Sequence, residues 1–489
     1  MPPSVHVSPR LTRLGPRVAG LGVGAAEFVV CLPHIGDALS QDEVASARIL
    51  RTSSLGAMLS RVARTESTPP LWYALGWAAH HAGLSINGVR LLSMLFAALL
   101  AVAVVAIARE LLPLRFAVAA GLLVAVGAQF AWHGHELRAY ELFALLTALL
   151  AVTLLRSLRA PSRRNDISLG VVVAAGLLTH YFFVFTVVAA FVWVWLEPHA
   201  RAIRWRSTVS FVAGALSCAP WLPMFVKQFR HDRFWWIGPF RLREAAAAPF
   251  RLFTPLVSHG LAGRVVPVAF LALTVCGAVA LARRSPAGRL CALLAFGPLV
   301  LASGAWATGF RIFAVRNLIG IGPFVAVAAV GAASMLPRRV GVLALAAGVA
   351  AVVASFAINQ SIPVPAYQLV AQALVREGWH PRDPVAVFGD FFSVRAPLEW
   401  YLPHQPVLAV SRGTRRPCET VFAVAGPLGA RRLRHIADDT RVGGFVVARL
   451  DLDHPIRGSD LQRATILVDP KRRPNCVSLV RNPRLAPIV

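Results

Sequence analysis

Charged residues are scarce in this chain of 489 residues, at 15% of the composition against 56% hydrophobic residues. So apolar a composition excludes an ordinary soluble globular protein and indicates a polytopic membrane protein. Lysine occurs only at Lys227 and Lys471, so the formal net charge of +27 comes almost entirely from arginine. The arginines are dispersed between apolar segments rather than gathered into one patch, which argues against nucleic-acid binding.

The six cysteines form no Cys-x-x-Cys or comparable zinc-binding spacing. Cys218, Cys276 and Cys291 lie in apolar segments and are typical of inert buried residues. Cys418 and Cys476 lie in the polar C-terminal part and can pair if that part faces an oxidising compartment. No internal repeat is evident, which weighs against a repeat-built transporter.

Eleven apolar segments have about the length that a membrane-spanning helix requires. We predict spans near 18–33, 90–108, 116–131, 139–155, 167–179, 181–196, 208–225, 265–282, 290–306, 317–335 and 340–357. The polar Thr-His-Tyr at 179–181 favours a hairpin of two helices over one long helix. With eleven spans, six arginine-bearing loops fall on one side, which predicts a cytoplasmic N terminus and an extracytoplasmic C-terminal part. We interpret residues 1–33 as an uncleaved anchor rather than a signal peptide.

The sequence thus predicts two domains. A membrane domain covers 1–357, with outer loops at 34–89 and 226–264. A small extracytoplasmic α/β domain covers 358–489, because AYQLVAQALVREGW has helical spacing while DPVAVFGD, GGFVVARLD and RATILVD are typical of buried strands.

Two adjacent carboxylates, Asp42 and Glu43, follow the first span. One interpretation is an acidic cap on a helix over VASARIL. The other is chemical, because a carboxylate at the membrane surface can take a proton from a hydroxyl group, while its neighbour raises its pKa or helps to hold a metal.

A second group of polar residues lies on the same predicted outer face. In HGHELRAYEL, Glu136 and Tyr140 share a helix face, and the planar fork of Arg138 suits a phosphate group. His180 can be a packing residue or a functional one, and Lys227 can meet an anionic lipid head group. Glu27, inside the first span, is a functional candidate without an assigned role.

These motifs, taken in order, resemble the GT-C glycosyltransferases, in particular the family-39-like group of protein O-mannosyltransferases and lipid A aminoarabinose transferases. The matching segments cover nearly the whole chain. Asp-Glu follows the first span, PPLWY stands where the family has HPPLYY, and HELRAYEL resembles the family's QEARMYAL. LTHYFF resembles the family's YTHYF, PWLPMFVKQ with FWWIGP resembles its PWLP…FWI segment, and AVRNL resembles its SRYL. Thr68 stands where the family has histidine, and Asn317 stands where it has tyrosine.

The resemblance implies a GT-C fold and inverting transfer of a sugar from a polyprenyl-phosphate donor to an envelope hydroxyl on a protein, glycolipid or polysaccharide. Asp42 is then the catalytic base, assisted by Glu43. Arg138, Arg316 and Lys227 are expected to bind the donor phosphate, and Glu136, Tyr140 and His180 to orient groups on the acceptor side. Metal dependence stays open, and Asp42, Glu136 and His180 are candidate ligands of a divalent metal.

Two other functions stay open from the residues themselves. A transporter or flippase of lipid-linked sugars is favoured by Glu27 and by the broken helix near residue 180. A membrane scaffold whose C-terminal part binds wall material predicts no dependence on Asp42. Each places the chain in a bacterial inner membrane as a multi-pass protein.

Overall fold

We describe a computed structural model of the chain. It describes residues 9–230, 237–254, 262–360, 367–381, 383, 385–388, 391–404, 409–410, 420–425, 440–442, 445–451 and 465–468. Asp232, Arg233, Trp235, Trp236, Cys418 and Cys476 lie outside the described residues, so whether the two cysteines pair stays open.

Helices dominate the described residues. The α-helices are α1 (Pro9–Cys31), α2 (Gln41–Leu50), α3 (Leu55–Thr65), α4 (Leu71–His81), α5 (Arg90–Arg109), α6 (Leu114–Ala125), α7 (Ala128–His133), α8 (Tyr140–Arg159), α9 (Arg163–Thr179), α10 (Phe183–Leu196), α11 (Arg204–Leu216), α12 (Leu222–Phe229), α13 (Leu242–Arg251), α14 (Ala262–Arg284), α15 (Pro286–Ala307), α16 (Gly322–Ala333), α17 (Arg338–Gln360), α18 (Tyr367–Arg376) and α19 (Phe391–Tyr401). Short 3-10 helices lie at Leu32–Gly36, Pro198–Ala200, Ala219–Trp221 and Val315–Ile321.

Eight segments in the described part of the chain are long and apolar enough to cross a membrane. They are Arg17–Gly36, Arg90–Arg109, Tyr140–Arg159, Arg204–Phe229, Gly263–Arg284, Pro286–Ala307, Val315–Ala333 and Arg338–Ala357. The other predicted spans correspond to the shorter helices α6, α9 and α10, so the structure supports a multi-pass helical protein but not the count of eleven.

The chain divides into two compact units. The first, which we call the membrane unit, comprises Met1–Ile35 and Ile49–Ser361, and the second comprises Gly36–Arg48 and Ile362–Val489. The segment that carries Asp42 and Glu43 therefore groups with the C-terminal part of the chain, which nothing in its sequence indicates.

Proline and histidine residues set two corners of the membrane unit. The α3 helix ends before Pro69 and Pro70, and α4 begins directly after them, as expected when the residue before a proline is kept out of the helical conformation. The α9 helix ends at Thr179 with His180 extended at its C-cap, and α10 begins at Phe183. The predicted helical hairpin at 179–181 is confirmed.

The second unit contains a six-stranded sheet in the order β2-β6-β1-β3-β5-β4. Its strands are β1 (Val385–Phe388), β2 (Ala409–Val410), β3 (Thr420–Ala425), β4 (Thr440–Val442), β5 (Phe445–Asp451) and β6 (Thr465–Val468). The β1–β3 pair is parallel, and the other described pairs are antiparallel. Apolar residues of α18 and α19 pack on the sheet around Leu374, Leu398 and Phe422. The three strands and the helix expected from sequence lie where they were predicted.

Candidate functional site

The corner between α3 and α4 buries a carboxylate against a phenol. Glu66 follows the last residue of α3, and Tyr73 lies in the first turn of α4. The Tyr73 hydroxyl donates to Glu66 Oε2 at 2.8 Å and lies 3.2 Å from Thr68 Oγ1. Burial raises the pKa of Tyr73, so the phenol keeps its proton and remains the donor.

Arg138 completes this group from another part of the chain. It lies in the turn between α7 and α8, and its Nη1 atom donates to Glu66 Oε2 and to the Tyr73 hydroxyl, both at 3.1 Å. We call Glu66, Thr68, Tyr73 and Arg138 the Arg138 cluster. Its members are buried, and the guanidinium is paired with a carboxylate as a buried charge requires.

The turn that carries Arg138 is itself buried and held by a side chain of a neighbouring helix. Ser93 Oγ donates to the carbonyl oxygen of Glu136 at 2.7 Å, and the amide of Arg138 donates to the same carbonyl at 2.8 Å. Buried backbone groups in a turn need such partners. These bonds fix the direction in which Glu136 and Arg138 leave the backbone.

A histidine–carboxylate pair lies on the same turn. His133 Nδ1 is 2.5 Å from Glu136 Oε2, and the His133 ring packs on Tyr140 with centroids 4.2 Å apart. His133 Nε2 is buried and has no hydrogen-bond partner among the described residues. A carboxylate on one imidazole nitrogen orients the ring, so that the other nitrogen faces a reactant or a ligand.

His180 lies in the corner between α9 and α10 and packs near Tyr140. Its ring stacks on Phe143 at 4.7 Å and is 5.7 Å from Tyr140. Burial lowers the pKa of His180 to about 3, and the charges of Arg138, Arg316 and His133 act in the same direction. The side chain is therefore neutral at physiological pH, and its Nδ1 accepts the amide of Phe182 at 3.2 Å.

Two further predicted phosphate-binding residues also belong to the membrane unit. Arg316 lies in the 3-10 helix Val315–Ile321, near enough to His180 to affect it electrostatically, and lines a cavity of about 370 Å³ with Gln129. Lys227 is exposed at the end of α12, where its neighbour Gln228 donates to the carbonyl of Val62 at 3.0 Å.

Asp42 and Glu43 lie in the first turn of α2, in the second unit. Glu43 Oε2 accepts the amide of Ser40 at 2.9 Å, and the Glu43 amide donates to Ser40 Oγ at 3.3 Å. This reciprocal pair is a capping box, so Glu43 has the structural role that the sequence left open. Asp42 is half-buried beside it.

The second unit also fixes the position of α2. Arg48, near the end of α2, donates to Glu399 Oε2 at 2.7 Å, and Arg395 donates to Glu399 Oε1 at 3.0 Å. At the other end, the amide of Leu39 donates to the Tyr401 hydroxyl at 2.8 Å. We call Arg48, Glu399 and Tyr401 the α19 clamp. It holds the helix that carries Asp42 against α19.

Within the membrane unit, the structure therefore brings together Glu136, Arg138, Tyr140, His180 and Arg316, all predicted from sequence. Sequence reasoning missed Glu66, Tyr73 and His133 as members of the site. The signal was present, because Glu66 and Tyr73 flank the two prolines of the PPLWY motif, and His133 precedes Glu136 by three residues.

Two of the predicted metal ligands already have protein partners within this unit. Glu136 is engaged by His133, and His180 Nδ1 accepts a backbone amide. Glu136 and His180 are not part of a common set of three ligand atoms among the described residues. Asp42, the third predicted ligand, lies in the other unit.

The sequence of part of the membrane unit matches a known family. Residues 67–226 match the family model described as dolichyl-phosphate-mannose-protein mannosyltransferase. The matched part contains Tyr73, His133, Arg138 and His180, and it excludes Asp42 and Glu43. Comparison with curated protein sequences gives no match.

Solved structures resemble the chain over most of its length. ArnT from Cupriavidus metallidurans in the apo state is 15% identical, with a TM-score of 0.54, over 87% of this chain and 97% of that chain. The same protein bound to undecaprenyl phosphate is 15% identical, with a TM-score of 0.50, over 88% and 97%. The Archaeoglobus fulgidus oligosaccharyltransferase, in complex with zinc and sulfate, is 12% identical, with a TM-score of 0.50, over 89% and 74%. The resemblance to GT-C glycosyltransferases is thus confirmed, and the fold is theirs.

Proposed function

We propose that this protein is an inverting glycosyltransferase of a bacterial inner membrane, which moves a sugar from a polyprenyl-phosphate donor to an envelope hydroxyl on the extracytoplasmic side. The Arg138 cluster carries the proposal, because it holds a guanidinium directly before the candidate span Tyr140–Arg159. The fold adds support, since a similar structure, ArnT, was solved bound to undecaprenyl phosphate.

The reaction forms one bond and breaks one. The acceptor oxygen attacks the anomeric carbon while the bond from that carbon to the phosphate oxygen breaks, and polyprenyl phosphate leaves with the electron pair. The acceptor proton passes to the carboxylate of Asp42, which acts as general base. Attack from the face opposite the leaving group inverts the anomeric centre.

Arginine side chains stabilise the negative charge that grows on the leaving phosphate. Glu66 and Tyr73 anchor the guanidinium of Arg138 through its Nη1 atom, so the group is positioned before the donor arrives. Arg316, at the wall of the neighbouring cavity, and Lys227 supply further positive charge. Arginine suits this role because its fork matches two phosphate oxygens.

The histidine–carboxylate pair orients a hydroxyl group. The Nδ1 contact with Glu136 orients the His133 ring, so Nε2 is directed toward a hydroxyl of the sugar or of the acceptor. Tyr140 packs on this ring, and neutral His180 lies behind Tyr140 without adding charge. We therefore assign His133, Tyr140 and His180 to the acceptor side of the site and Arg138 to the phosphate side.

The test uses purified protein in lipid nanodiscs with a panel of radiolabelled polyprenyl-phosphate sugars and a crude envelope acceptor. We expect turnover of one donor by the wild type and by Glu377→Gln, a control carboxylate of the second unit. We expect Asp42→Asn to lose turnover while keeping its melting temperature. Turnover of Asp42→Asn near the wild-type level would rule out Asp42 as the base.

The same preparations test the alternative function. A flippase moves the lipid-linked sugar across the bilayer without releasing polyprenyl phosphate, so transbilayer movement in proteoliposomes without any release contradicts the proposed transfer. Glu27 motivates this comparison, because it is a fully buried acid within a predicted span.

A further inference from the structure

Two carboxyl groups in the candidate spans take part in none of the hydrogen bonds described for the candidate site. Glu27 lies on α1, within the candidate span Arg17–Gly36, and Glu141 lies in the first turn of α8, within the candidate span Tyr140–Arg159. Both residues are 0% exposed. An acid at such a position carries a large desolvation cost if it is ionised.

The two groups lack the partners that buried carboxylates require. None of their four oxygen atoms has a hydrogen-bond partner among the described residues. The carboxyl groups interact electrostatically with each other, and both act on the thiol of Cys31. Two carboxylates in one apolar region cannot both keep their charge, since like charges repel and neither is solvated.

Among the described residues, no basic side chain forms a hydrogen bond with either carboxyl group. Burial acts on both groups, and the charge of Glu27 acts on Glu141. The α5 helix packs against both α1 and α8, but its terminal arginines bind elsewhere. Arg90 Nη1 donates to the carbonyls of His34 and Ile35, and Arg109 Nη1 donates to the carbonyl of Leu112.

A metal ion is a poor occupant for this position. Glu27, Glu141 and Cys31 do not bring their ligand atoms into a set compact enough for a metal ion. A proton needs no such ligand set, because it neutralises one carboxyl group by itself. Protonation of one of two interacting buried carboxyl groups is the general outcome of this arrangement.

We propose that Glu27 and Glu141 form an internal proton-binding site of the membrane unit, in which at least one carboxyl group is neutral at physiological pH. The site is separate from the proposed base Asp42 and does not depend on the glycosyltransferase function. It lies near the Arg138 turn, because Glu141 follows Tyr140, and because a Cβ atom at Gly134 would lie only 2.8 Å from Cys31 Sγ.

An apolar carbodiimide, dicyclohexylcarbodiimide, tests the proposal on the full chain in nanodiscs at neutral pH. The reagent partitions into the bilayer and modifies protonated carboxyl groups, and peptide mass spectrometry locates the adduct. We expect an adduct on Glu27 or Glu141 in the wild type and in the control Glu110→Gln. We expect no adduct on this pair in the double variant Glu27→Gln/Glu141→Gln, and no effect of Na⁺ or Ca²⁺.

Infrared spectroscopy gives a second measurement that does not depend on access of the reagent. The wild-type minus double-variant difference spectrum should contain the C=O stretch of a protonated carboxyl group. Absence of that band at neutral pH would overturn the proposal. Protection of the pair from the carbodiimide by Na⁺ or Ca²⁺ would also overturn it, because the occupant would then be a metal ion.

Discussion

Glu66 and Glu27 are both buried carboxyl groups of the membrane unit, yet their surroundings are opposite. Glu66 accepts hydrogen bonds from Tyr73 and Arg138, whereas the oxygens of Glu27 have no hydrogen-bond partner among the described residues. The hydrogen bonds from Arg138 and Tyr73 satisfy the first group and fix its direction. The second group instead interacts with the like charge of Glu141, and two such buried carboxylates cannot both stay ionised.

The comparison separates two uses of an acid in a membrane protein. The partnered carboxylate is a positioning group, because it fixes the arginine that the proposed reaction needs. No hydrogen bond among the described residues fixes the direction of Glu27 or Glu141, and the chemistry that we propose for this pair is the uptake of a proton. Substitutions should therefore have large effects where a partner is removed and small effects where no partner exists.

Removal of the Arg138 side chain should have the largest effect. Arg138→Ala leaves Glu66 charged and buried, which we expect to cost about 3–5 kcal/mol of stability and to abolish turnover. Arg138→Lys should restore part of the stability but little activity, because a lysine cannot reproduce the fork. Melting temperature and donor turnover measure the two effects.

A double variant serves as the control for this prediction. Glu66→Gln combined with Arg138→Ala removes the unpaired charge, so it should be more stable than Arg138→Ala alone. Equal stability of the single and the double variant would show that Glu66 is not held as a carboxylate by Arg138.

The α19 clamp should give the next largest effect. Arg48→Ala breaks the bond between α2 and α19, so Asp42 is no longer held in place, and kcat should fall by about 100-fold. Arg395→Ala is the matched control, because it removes only the partner of Glu399 within α19. The values of kcat and of KM for the donor should be measured separately for both variants. Equal kcat values in Arg48→Ala and Arg395→Ala would contradict a positioning role for Arg48.

Local patterns of sequence predicted much of this fold. The apolar segments gave the helices, Thr-His-Tyr marked the break between α9 and α10, and alternating apolar runs marked strands β1, β5 and β6. The three short helices α6, α9 and α10 explain why the count of spans differs. Local hydropathy identifies an apolar helix, but tertiary packing sets where it ends.

The site was predictable only in part, because its partners are distant in the chain. Glu66 and Arg138 are 72 residues apart, and Arg48 and Glu399 are 351 residues apart. No local pattern reports such pairs. Glu43 shows the converse, since Ser40 three residues before it is a recognisable local signal for the capping role that Glu43 has in α2.

His180 should give a moderate effect that depends on pH. Its pKa is lowered from 6.5 to about 3, so the unfolded chain takes up a proton below pH 6.5 while the folded chain does not. Stability is therefore complete above pH 6.5 and decreases as the pH falls toward 3, by about 2 kcal/mol at pH 5. His180→Gln should remove this acid-dependent loss in melting temperature, and the exposed His380→Gln should not.

The smallest effect is expected at the unpartnered pair. Glutamine has nearly the shape of a protonated glutamate, so Glu141→Gln should change stability by less than about 1 kcal/mol at neutral pH. Glu141→Leu should be neutral or stabilising, because it removes a buried polar group that has no partner. Melting temperatures of these variants should be compared with that of Glu66→Gln, which loses a charged partner of Arg138. If Glu141→Gln were as damaging as Glu66→Gln, the carboxyl of Glu141 would have to be ionised and paired, and the contrast between the two regions would fail.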